Sequence, residues 1–123
     1  MTPHPKTIPQ RNPALLALAN GRRCLLLAVE SCETTRGTST VACHSNELKH
    51  GKGRSRKADD NYTVWGCARC HLWLDESWSP RAEKKRAFEG AYRWQILEWQ
   101  KIAEDQTEPE KNRNAAKWAL ERI

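Results

Sequence analysis

This chain has no long apolar run. The longest, Cys24-Leu25-Leu26-Leu27-Ala28-Val29, falls far short of the roughly 20 residues that a bilayer-spanning helix needs, so no membrane association is expected. The stretch Met1 to Gln10 holds three prolines and no apolar core of the kind a secretory signal carries, and a cytoplasmic protein is the expectation. Internal repeats are absent. Methionine is nearly so, with Met1 the single example. The five cysteines are an odd number, and in a reducing compartment they do not form a disulfide framework.

The 123 residues fit one domain with a modest core. Lys and Arg number 21 against 15 Asp and Glu, a formal charge of +6, which favours an anionic partner and nucleic acid first. Residues 1–11 read as a flexible basic arm. Asn12 as N-cap, Pro13 at the first helical position and Gly21 after the last turn mark a helix through Ala14-Leu15-Leu16-Ala17-Leu18-Ala19. Cys24 to Cys32 reads as a knuckle-like loop or short strand pair. Thr38 to His44 is rich in β-branched residues and predicts a strand, and Tyr62 to Trp65 predicts a second. A polar stretch, Ser45 to Asp60, separates them. A short helix is expected over 68–76, and a longer one over roughly 80–104, with Phe88, Tyr92, Ile96 and Trp99 at helical spacing. Thr107 and Glu110 have the spacing of a capping box for a last helix over about 108–122. Trp94 and Trp99 are expected in the core; Trp73 and Trp78 flank the short helix. The organisation expected is an arm over 1–11, a domain over 12–104 and a C-terminal helix within 105–123.

Four cysteines form two pairs: Cys24 with Cys32, and Cys67-Ala68-Arg69-Cys70. Thiolates at about 2.3 Å from one Zn²⁺ would close a structural site and tie the N-terminal segment to the second strand and short helix. Such a staple suits a small chain, because bound zinc adds folding free energy directly. Unconnected buried thiols are the plain alternative. A redox pair lacks its βαβ setting, and a haem reading of Cys67-Ala68-Arg69-Cys70-His71 leaves Cys24 and Cys32 without a role.

Near the staple stand groups suited to phosphodiester hydrolysis, which needs a base for water and a cation for developing charge. His44 ends the first strand, and an imidazole serves as base near neutral pH. His71 and Asp75, four apart on one helix, share a face and can meet one divalent ion, Mg²⁺, Mn²⁺ or a transition metal. A surface histidine and an ordinary helix contact are the plainer readings of each taken alone.

Val41-Ala42-Cys43-His44, Gly51-Lys52-Gly53, Lys57-Ala58-Asp59-Asp60 and Cys67 through Asp75, taken in order, resemble the YbcO-like nucleases of phages and prophages, within the wider HNH group. The resemblance runs from about Gly21 to Leu97. It implies an α+β fold: a small zinc-stapled ββα-metal core, treble-clef-like, with an N-terminal helix and C-terminal helices. It implies His44 as general base and His71 as a ligand of the catalytic ion, with Asp75 where a second helix ligand occurs. Asn61, or Asp60 beside it, matches the middle residue that orients the base; Asn46 is a lesser candidate. Cys43 departs from the pattern, since many HNH enzymes place a hard ligand there, and thiolate is a poor partner for Mg²⁺. Lys49, Lys52, Arg54, Arg56 and Lys57, with no acid among them, would follow a DNA backbone. The function implied is metal-dependent DNA cleavage in phage recombination or replication. The rival is a zinc-dependent DNA-binding or scaffold protein whose site has lost activity. Oligomeric state is left open.

Overall fold

The computed structural model describes residues 8–33, 37–53 and 56–123. In chain order these contain α1 (Pro13–Ala17), β1 (Val41–His44), a single 3-10 turn (Leu48–His50), β2 (Thr63–Gly66), α2 (Ala68–Glu76), α3 (Arg81–Glu104) and α4 (Glu110–Leu120). The class is α+β, with one two-stranded antiparallel sheet and four helices among the described residues.

α1 begins as its residues dictate. Asn12 is extended, its side chain accepts the Leu15 N–H at 3.1 Å, and Pro13 follows. Gly21 takes the left-handed conformation (φ 80°) after the last turn. β1 is shorter than expected, because Thr38 to Thr40 leads into it without pairing, and β2 keeps its expected four residues but lies one position later. Ala42 faces Trp65 and His44 faces Thr63 across the pair. A two-stranded ribbon is marginal by itself, and here its far edge is closed by other elements. The Trp65 N–H donates to Gln95 Oε1 of α3 at 2.9 Å, and the Trp65 carbonyl accepts from Leu25 N at 2.8 Å. α3 therefore lies along β2 and buries Phe88, Ala91, Gln95, Trp99 and Ile102.

α4 packs on α3 and α1 through Ala115, Ala116 and Ala119, side chains small enough to let the helices approach closely. It thus shares the core of residues 12–104. Its start differs from the expected capping box. Pro109 occupies the N-cap, and Thr107 instead bonds the Asp105 carboxylate with both its N–H (2.9 Å) and its hydroxyl (2.6 Å). Pro109 sets its own φ for the helix entry and so moves the cap two residues on.

The expected arm over 1–11 is fixed at its inner end; residues 1–7 lie outside the described residues. Gln10 N donates to Asp59 Oδ1 (3.1 Å), Asn12 N to Asp60 Oδ2 (2.7 Å), and Arg11 to the carbonyls of Ala58 (2.6 Å) and Lys57 (3.0 Å). These bonds brace the segment that carries Asp60. Trp94 is another correction. It is partly exposed, with Arg23 stacked on its ring at 4.4 Å, whereas Trp99 is fully buried.

Candidate functional site

Cys24, Cys32, Cys67 and Cys70 converge, with all four sulfurs within 4.8 Å of one another. Four thiolates at about 2.3 Å from a common ion stand about 3.8 Å apart along each tetrahedron edge, and Cys67 and Cys32 already lie at 3.8 Å. The cluster can hold a structural metal such as zinc. Cys24, Cys67 and Cys70 are buried and Cys32 is half-buried, so an ion here would be closed off from solvent.

Backbone amides are turned toward these sulfurs. Ala28 N donates to Cys70 Sγ at 3.3 Å. Leu27, the one non-glycine residue with positive φ among those described (46°), turns the chain so that this amide can reach back. Burial raises Cys24 and Cys70 above the ordinary thiol range. Burial pushes Cys67 the same way, but hydrogen bonds from the backbone at Glu33 and Cys70 and from neighbouring thiols outweigh it, leaving Cys67 near about 7. Cys67 also opens α2, whose first amide, Ala68 N, donates to Ser39 Oγ at 3.0 Å.

Strand alternation sends Cys43 and His44 to opposite sides of β1. Cys43 is completely buried against Gly66, its thiol raised well above the ordinary range by desolvation. It is a packing residue and takes no place beside His44. His44 is largely covered, with 19% of its side chain exposed, and its Nε2 lies 2.9 Å from Asp60 Oδ1. Asp60 is buried and also accepts Asn12 N at 2.7 Å. A carboxylate here accepts Nε2–H and leaves Nδ1 with its lone pair free. Desolvation lowers the His44 pKa despite the opposing Asp60 hydrogen bond, which favours the neutral ring.

Asp60 and Asn61 divide the work that sequence left between them. Asn61 turns away, donating to the Arg122 carbonyl at 3.3 Å, while its own carbonyl accepts the Tyr92 hydroxyl. It ties the second strand to α3 and the C-terminus. Asp60 alone of the two contacts the His44 ring.

His71 Nε2 and Asp75 Oδ2 lie 2.9 Å apart on the exposed side of α2. Their mutual hydrogen bond raises the His71 pKa and lowers that of Asp75. Asn46, two residues after His44, donates to Asp75 Oδ1 at 3.4 Å. This contact joins the segment that follows β1 to α2. Among the loop cations, Lys57 places its positive charge near His44 and Lys52 near Asp75. Lys49 is exposed. Arg56 folds back, its guanidinium 3.9 Å from Asp59, and Arg54 lies outside the described residues.

Nothing in the sequence marks His50 as a site residue. Its Nδ1 is 2.6 Å from Ser45 Oγ and its ring stacks on Tyr62 at 4.0 Å, on the wall of a cleft of about 700 Å³ beside Asn46 and Lys52. Buried in a run of lysines and arginines, it has no spacing that marks it out. No protein-family model matches the chain, and no curated protein and no solved structure is significantly similar to it.

Proposed function

We propose that this chain is a metal-dependent endonuclease that hydrolyses DNA phosphodiester bonds, with a zinc ion on Cys24, Cys32, Cys67 and Cys70 holding the site together. The observation that carries this reading is the join at Asn46. It links the segment that follows the Asp60-oriented His44 to the His71–Asp75 pair, and in this reading a base and a cation-binding pair serve one reacting centre.

In this reading His44 Nδ1 takes a proton from water as the water oxygen attacks phosphorus, and the bond to the 3′-oxygen breaks in line. Asp60 holds the ring in the competent tautomer and stabilises the imidazolium that forms. His71 and Asp75 would hold Mg²⁺ or Mn²⁺, which supplies positive charge to the phosphate and leaving oxygen when bound. The donor set, one nitrogen and one carboxylate oxygen with exposed surroundings, fits an ion that keeps several waters. Lys52 and Lys57 add charge beside the two halves of the site. Partner and cytoplasmic setting belong to the same proposal, as does membership in the YbcO-like group and a role in phage DNA recombination or replication.

One observation favours a second reading, a catalytically inactive zinc-dependent DNA-binding or scaffold protein. Cys43 is packed inside, so the residue before the base offers no hard ligand. Plasmid nicking by zinc-loaded protein with Mg²⁺ or Mn²⁺ separates the two. Cleavage that chelation stops supports the enzyme, and DNA binding without cleavage under either ion supports the rival.

A further inference from the structure

The cleft beside Asn46 runs between the segment 45–53 and the first turns of α3. Its character is two-fold. Lys49, Lys52 and His50 stand on one wall, Arg81 and Lys85 on the other, and Leu74 and Phe88 add apolar and aromatic lining. Five cationic side chains line it against two acidic ones, Glu47 and Glu89. The fifth cation, Lys84, is anchored to the Ser77 carbonyl at 2.7 Å and fixes the α2–α3 turn. On that turn, next to the cleft-lining Ser79, Trp78 is 99% exposed.

Duplex DNA keeps its base faces inside the stack and offers a protein its phosphates and groove edges, so an aromatic lining finds no base face to stack on. An unpaired strand offers phosphates to cationic walls and base faces to apolar and aromatic groups. A cleft of about 700 Å³ is in the size range of small-ligand sites, room for about one or two nucleotides rather than a double helix.

We infer that this cleft binds an unpaired DNA strand, with Arg81 and Lys85 on its phosphates and Trp78 stacked on a base at the rim. The inference rests on the nuclease reading for its partner and deepens it. The substrate then has a single-stranded portion adjoining the scissile phosphate, and the cleft delivers that strand past Asn46 to the His44–Asp75 centre.

The test is fluorescence anisotropy with full-length zinc-loaded protein and no added Mg²⁺ or Mn²⁺. Three labelled DNAs are compared: a single strand, a duplex with a single-stranded overhang, and a blunt duplex. The overhang DNA should bind about tenfold or more tighter than the blunt duplex. Trp78→Ala should weaken overhang binding by about fivefold to a hundredfold and blunt-duplex binding hardly at all. Trp78→Phe should keep most of the affinity. Arg81→Glu with Lys85→Glu should remove the preference; both side chains are exposed, so folding is spared. Equal binding of overhang and blunt DNA by wild type, or Trp78→Ala binding the overhang as wild type does, overturns the inference. An overhang preference that depends on Trp78 in a protein that never cleaves would support the cleft while removing the nuclease reading. Cleavage without that preference would do the reverse.

Discussion

His44 and Cys43 are neighbours with opposite fates, and the alternation of β1 decides them. Cys43 goes into the core and is sealed by desolvation; His44 goes to the site and meets Asp60. The sequence marks His44 as a candidate base, but it cannot tell Asp60 from Asn61, because the choice depends on how Gln10 to Asn12 packs against 57–60. Two predictions belong at this scale. Desolvation holds the His44 pKa below 6.5, and a base works only when deprotonated. Cleavage should therefore fall in acid, with a midpoint on the acid side of an ordinary histidine, and level off above it, as read from a kcat/KM profile. A midpoint above 7 would contradict His44 as the base. Asp60→Asn should lower kcat by about 10²-fold or more, since an amide can hold the wrong tautomer. Asp60 also accepts the Asn12 amide, so a loss of about 1–3 kcal/mol in stability should accompany it.

At the scale of elements, helices were far more legible than strands. The apolar spacing and Pro80 delimit α3, and α2 spans the residues its sequence suggests. β1 and β2 are four residues each, too short for a pattern to fix their ends, and Pro109 overrides the Thr107 cap. The knuckle between Cys24 and Cys32 depends on backbone that residue types only hint at. Leu27 sits at φ 46° with its side chain exposed, a conformation costing a non-glycine residue about 1–2 kcal/mol. Thermal melts of zinc-loaded protein should rank Leu27→Gly above wild type and Leu27→Val below it. The reverse order would mean that the Leu27 side chain matters more than its backbone. Gly66 is a tight point of β2. A Cβ there would lie 2.7 Å from both Cys43 Sγ and Leu26 Cδ1, so Gly66→Ala should lower stability by about 1–3 kcal/mol in denaturant unfolding.

Across the whole molecule, the cysteine cluster brings the N-terminal loop together with the end of β2 and the start of α2, while α4 packs on α1 and α3. A two-stranded sheet of eight residues is a thin centre, and a metal held by the four cysteines would staple it. The two cysteine pairs were visible in sequence; the join between β1 and α2 at Asn46 was not, because it needs the folded loop. Purified protein should hold about one zinc per chain and lose it together with its fold when Cys70 becomes Ser. A well-folded, reduced, zinc-free preparation would remove the staple. The most direct test of the proposed hydrolytic centre is single-turnover cleavage of overhang-bearing DNA by wild type, His44→Ala and His71→Ala, with Mg²⁺ and Mn²⁺ supplied in turn. The account predicts chelator-sensitive cleavage by wild type and none by His44→Ala under either ion, with zinc content and DNA binding retained. His71→Ala should be partly restored by excess Mn²⁺. Cleavage by His44→Ala at the wild-type rate, or no cleavage by wild type with either ion, would contradict it.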